Sequence, residues 1–196
     1  MKEKGEIMKS ARVFLWSMYV HLLFSIAVPV GIVVSCIDEG WNGVGIGLFL
    51  CYLLEVFAVQ IIGWVCVGMA VVTYKKEQWE RLFQGWTLLK LRSIPFFVIN
   101  FLYSVVVWFI LVGGSRGILI LLVPIPVVYT CTLVFQSGCV GICYIKYLRK
   151  YLEEGNRPSG IHYVLQLLAV ADVVSTVVIR KRYHGDGIKY LEGDNR

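Results

Sequence analysis

Two side chains of this 196-residue chain sit where only a strong reason keeps them: His21 and Glu55 each stand inside a long apolar run. His21 falls in Val13–Val34 and Glu55 in Val44–Val72. Counted inward from the outer ends of those runs, at 1.5 Å per helical residue, both lie about 16–20 Å deep. Antiparallel neighbours would bring them together. A histidine and a carboxylate in contact away from water can pass a proton, and an ionisable group inside a membrane is a functional candidate by default. Three readings stay open for the pair: plain hydrogen bonding between helices, a proton or ion path, and contact with a lipid head group or ligand.

Other polar residues follow the same sparse pattern. Ser17, His21 and Ser25 recur at i, i+4 and i+8, Cys51 and Glu55 at i, i+4, and Gln60 points about 140° away from Glu55 on a helical wheel. Asn100 with Ser104, and Thr132 with Gln136, complete the set, with Asn100 and Gln136 at similar depth from the inner side. Asp172 is the remaining candidate, in the apolar stretch Ile161–Ile179 that runs into Arg180-Lys181-Arg182.

The elements that must position these residues are membrane helices. Of the chain, 58% is hydrophobic and only 16% charged, with a mean hydropathy of +0.71. Water-soluble domains carry about 25% charged residues, so this much apolar surface requires lipid as its solvent. Four runs reach the ~20 residues that a bilayer demands: Val13–Val34, Val44–Val72, Ile94–Val112 and Ile118–Ile145. Pro124 and Pro126, in the first third of the last run, predict a kink there. The five residues Gly113–Gly117 make the third and fourth spans antiparallel neighbours.

The formal charge of +6 does not point to nucleic acid, because the cations flank apolar runs. Such placement suits anionic head groups and topology control. The N-terminal tail, the central loop Thr73–Ser93 and Lys146–Arg157 together hold thirteen Lys and Arg, against Arg116 alone on the other side. This asymmetry puts the N-terminus in the cytoplasm. Within the central loop, Trp79, Leu82, Phe83, Trp86 and Leu89 recur at helical spacing, with Lys75, Lys76, Glu80, Arg81 and Lys90 mostly on other faces. An interfacial helix over 75–92 is expected, contacting lipid or a partner through Trp79, Trp86 and Arg81, and ended by Pro95.

For Ile161–Ile179 the sequence permits a fifth span or a surface or re-entrant helix, and favours the second. His162, Gln166, Asp172, Thr176 and Arg180 share an arc of about 120° on the wheel. An aspartate at the centre of a span costs roughly 2.5–3.5 kcal/mol, whereas at the surface it meets water or a cation. Arg180, Lys181 and Arg182 then join the cytoplasmic contacts with head groups.

No nucleotide loop, hydrolase elbow or metalloprotease helix is present. Glu153-Glu154-Gly155-Asn156-Arg157 is one residue short of the motif of intramembrane prenyl-protein endopeptidases. Cys51, Cys66, Cys131, Cys139 and Cys143 fall in apolar runs without metal-ligand spacing and read as packing. Val33-Val34-Ser35-Cys36 fits a bacterial lipobox, so Cys36 is a lipidation candidate, although the 22-residue run before it is long for a cleaved signal and reads rather as a signal anchor. The small-residue patches Gly63…Gly68 and Ser137–Gly141 suggest close helix packing, with self-association as a further possibility.

The stretches Lys90-Leu91-Arg92-Ser93-Ile94-Pro95-Phe96-Phe97 with Asn100-Phe101, and His162…Leu165-Gln166…Asp172-Val173…Ser175-Thr176, resemble uncharacterised small bacterial multi-pass membrane proteins grouped as a family of unknown function. The resemblance implies a bacterial cytoplasmic-membrane protein and carries no activity with it. The expectation is therefore an all-α integral membrane bundle: residues 1–152 as a four-helix transmembrane domain, and 153–196 as an amphipathic or re-entrant helix with a basic tail. Its function would be that of a non-enzymatic membrane subunit or accessory protein, without cofactor, metal or nucleic acid. The alternative is a small proton-coupled carrier using His21 and Glu55.

Overall fold

The computed structural model describes residues 6–39, 43–114, 124–152, 158–165 and 175–179. Four long helices dominate: α1 (Glu6–Glu39), α2 (Gly43–Lys75), α3 (Trp79–Gly114) and α4 (Pro124–Tyr151), followed by the short α5 (Ile161–Leu165). Each of the four contains a stretch long and apolar enough to cross a membrane: Glu6–Val28, Ile46–Lys75, Trp79–Val107 and Val127–Tyr151. The fold is an all-α helical bundle. Around it, α1 packs against α2 and α3, and α4 packs against the same two helices from the other side.

The helices are longer than a bilayer needs. The 36 residues of α3 extend about 54 Å, against about 30 Å of hydrocarbon. The excess lies at the cation-rich end, and the tightest core is there. Ile7 and Ala11 of α1, Leu82, Phe83, Trp86 and Leu89 of α3, and Tyr144, Ile145 and Leu148 of α4 are all buried in one cluster. Further along, large apolar side chains of α2 and α3 face outward, among them Leu54, Phe57, Ile61, Phe101 and Phe109.

This arrangement corrects the expected interfacial helix over 75–92. Residues 79–92 form the first turns of α3, which continues through Pro95. The amphipathic spacing is real, but its apolar face packs against α1 and α4. Trp86 is fully buried, its ring stacked 4.7 Å from that of Tyr144. It is a core residue rather than a lipid contact, and Trp79 is half-buried beside the same cluster. The cause is the connection. Gln78 N–H bonds the Thr73 carbonyl and Glu77 N–H bonds that of Tyr74, with Glu77 at φ 55°. This is a Schellman turn, which reverses the chain within three residues and folds α3 straight back onto the bundle. Proline at 95 leaves one carbonyl of the preceding turn without its helical donor. The Tyr19 hydroxyl of α1 donates to the neighbouring Arg92 carbonyl at 2.8 Å, seating α1 against this weakened turn.

Pro124 and Pro126 are the first and third described residues of α4, and the stretch before them, where the kink was expected to show, lies outside the described residues. At the chain's other end, His162 Nδ1 lies 2.8 Å from Ser175 Oγ. A continuous helix would hold residues thirteen apart about 20 Å from each other. The contact therefore brings Ser175 to α5, while Gln166 and the rest of 166–174 lie outside the described residues. Ser175, Thr176 and Ile179 are buried, and Arg149 of α4 sits over the Tyr163 ring. Asp172, Arg180, Lys181 and Arg182 lie outside the described residues.

Candidate functional site

The bundle interior carries its polar groups in layers, each held between two facing helices. In one layer His21 of α1 meets Glu55 of α2, Nδ1 to Oε2, at 2.7 Å. The other ring nitrogen, Nε2, lies 3.1 Å from Ser25 Oγ, one turn further along α1. His21 is 2% exposed, and aromatic rings stand on it from two helices. Tyr52 of α2 stacks at 5.8 Å between centroids and Tyr129 of α4 lies at 4.3 Å. Tyr103 of α3 donates its hydroxyl to the Ser25 carbonyl. All four helices thus contribute to one cluster. Two of its atoms, Glu55 Oε1 and the Tyr129 hydroxyl, are buried with no hydrogen-bond partner.

Deeper toward the cation-rich end, Gln60 points away from Glu55 and into α4. Its Nε2 donates to Thr132 Oγ1 at 2.9 Å, and Gln136 Nε2 donates to Gln60 Oε1 at 2.9 Å and to its carbonyl at 3.2 Å. Gly63 makes the close approach possible: a Cβ there would stand 2.1 Å from Gln136 Oε1 and 2.9 Å from the Phe14 ring. Gly68, grouped with it on sequence, has open space around it. Asn100 of α3 donates to Thr130 Oγ1 of α4 at 2.9 Å. Asn100 and Gln136 thus serve different helix pairs.

Lys90 escaped the sequence reading, which set it among the surface cations. It is 2% exposed, and its Nζ donates to Ser137 Oγ of α4 at 3.1 Å. A signal was present: Lys90 follows Trp86 and Phe83 at i+4 and i+7, the spacing of the buried face. The tyrosines of the His21 cluster had a comparable signal. Tyr52, Tyr103 and Tyr129 each lie three residues from an interior polar side chain of the same helix, the half-buried Glu55, the buried Asn100 and the half-buried Thr132, and so share its face.

Charge gathers at the outside of the cation-rich end. Lys150 Nζ holds Glu77 Oε1 at 2.6 Å, and that hydrogen bond keeps the Glu77 carboxyl below its usual range. Lys146 lies over the Tyr74 ring and Lys150 over Tyr151. Arg81 donates to Gln78 Oε1 at 2.6 Å and lines a small crevice with Glu6, Thr73 and Lys76. Cys36 lies on α1, which continues past it to Glu39. Cys66 is buried, Cys51 and Cys131 are exposed, and all three are free thiols. Among the described residues, no three His, Cys, Asp or Glu side chains gather as metal ligands.

A family model described as "Family of unknown function (DUF6652)" matches residues 9–185, most of the chain, and the chain belongs to that family. No curated protein and no solved structure matches it.

Proposed function

We propose that this member of a family of unknown function is a non-enzymatic multi-pass protein of the bacterial cytoplasmic membrane, acting as an accessory subunit that docks laterally on another membrane protein. One observation carries the reading: the interior polar groups of α2, α3 and α4 join helix to helix, while one face of α2 is left bare. On that face Leu50, Leu54, Phe57, Ile61 and Trp64 recur at alternating spacings of four and three, each half or more exposed. Such spacing matches the seam along which one helix packs on another. Gln60, Asn100 and Gln136 donate to partners within the bundle, as groups that join helix to helix do. The cation-rich end faces the cytoplasm in this reading, with its lysines and tyrosines against anionic head groups.

Photo-crosslinking in living cells tests the docking. A photoreactive residue at position 57 or 61 should give one discrete protein adduct, and one at Val59, which is buried, should give none. Positions 57 and 61 yielding no protein adduct would overturn the proposal.

A further inference from the structure

The cluster around His21 has the construction of a site built for two protonation states. The Nδ1–Oε2 contact of 2.7 Å holds one proton between imidazole and carboxylate. Nε2 faces Ser25 Oγ at 3.1 Å, an oxygen that also meets the Tyr52 hydroxyl. The Ser25 oxygen accepts from Nε2–H, a proton the ring keeps whether the shared proton rests on Nδ1 or on Oε2. The Tyr52 and Tyr129 faces against the ring favour a cation between them. The carboxylate is equipped on one side only. Oε2 is engaged by His21, while Oε1 is buried and unpartnered. The Tyr129 hydroxyl is buried and unpartnered too, and lies within electrostatic reach of Glu55. A buried carboxylate oxygen that lacks a donor, on a carboxylate whose other oxygen holds a histidine, describes a place that a proton fills.

We infer that His21, Glu55, Ser25 and Tyr129 form a proton-binding site within the bundle. Its resting form is a net-neutral pair that shares one proton between Nδ1 and Oε2 and carries another on Nε2, and acidification adds a further one at Glu55 Oε1. A hydronium gives its proton to Oε1 and leaves as water; the only bond formed is the new O–H, on an oxygen that no group of the bundle engages. The site then carries one positive charge as imidazolium beside a neutral carboxyl. Among the described residues, the titratable groups gathered here are His21 from α1, Glu55 and Tyr52 from α2, Tyr103 from α3 and Tyr129 from α4. Because one cluster joins all four helices, its charge state bears on the packing of the whole bundle. This inference does not rest on lateral docking, and it requires no transport.

Infrared difference spectroscopy of the full chain in lipid nanodiscs reads the site directly. Between about pH 9 and pH 4, the range over which ordinary imidazole and carboxyl groups change charge, acidification should bring up a protonated-carboxyl band. Glu55→Gln should lose that band. Tyr129→Phe, which keeps the ring against His21 and removes only the hydroxyl, should retain the band. Absence of a Glu55-dependent band in the wild type would overturn the site. Should Glu55→Gln fail to fold, Glu55→Asp, which keeps the carboxyl and shortens its reach, should move the band, and a band left in place would overturn its assignment to Glu55.

Discussion

Gly63→Ala and Gly68→Ala place the same methyl group on the same helix, five residues apart, and should move stability in opposite directions. At position 68 the new Cβ meets nothing within 4 Å. The change removes the backbone freedom of glycine and should stabilise by about 0.8–1.0 kcal/mol, the helix preference of alanine over glycine. At position 63 the Cβ would stand 2.1 Å from Gln136 Oε1 and 2.6 Å from its Cδ. The Gln136 amide must therefore retreat by roughly 1 Å or more to reach ordinary contact. Phe14, at 2.9 Å, closes another side. Overpacking of this kind costs about 1–3 kcal/mol. The two hydrogen bonds from Gln136 Nε2 to Gln60 add about 0.6 kcal/mol each where they break. Set against the alanine preference, Gly63→Ala should destabilise by about 1–3 kcal/mol and separate from Gly68→Ala by about 2–4 kcal/mol. Equilibrium unfolding in bicelles, followed by tryptophan fluorescence, measures both. The double variant Gly63→Ala with Gln136→Ala supplies the control: with the amide gone, most of the penalty should vanish, a coupling on the order of 1–2 kcal/mol. Equal effects at positions 63 and 68, or no coupling to Gln136, would refute the packing of α2 against α4 described here.

The fold-back of the chain's last part makes a simple prediction. Cysteines at 162 and 175, in a background without native cysteines, should be joined by a short thiol crosslinker, whereas a continuous helix would keep them about 20 Å apart and unlinked. The Glu77–Lys150 pair predicts a weak pH dependence with a definite sign. Because the folded state holds the Glu77 carboxyl below its usual range, the pair's contribution is present above the unfolded value of about 4.3 and is lost as pH falls through the folded one. Both partners are exposed, so thermal melts of Glu77→Gln should lie close to wild type at neutral pH and converge with it in acid. Glu77→Gly, which relieves the left-handed backbone at φ 55°, should raise the melting temperature by about 2–4 °C.

Much of this protein could be read from residue order alone, and the physics of lipid explains why. Twenty apolar residues have few options other than a helix across the bilayer, so the all-α class, the four long helices and their antiparallel order follow from one dimension of information. The meeting of His21 with Glu55 was legible for the same reason, since depth along antiparallel helices is a matter of counting. Direction around the axis was legible too, in the opposite pointing of Glu55 and Gln60. What residue order could not decide was which apolar face meets lipid and which meets protein, because both solvents accept the same side chains. Trp86 and Tyr144 have the residue types of an interfacial belt, yet they stack on each other in the core, brought there by a three-residue turn whose left-handed residue is a glutamate rather than the expected glycine. Lys90 looked like one more surface cation until α3 folded back and placed it against Ser137. The His162–Ser175 contact lay beyond residue order for a related reason: only the packing of the chain brings two side chains thirteen residues apart to within 2.8 Å.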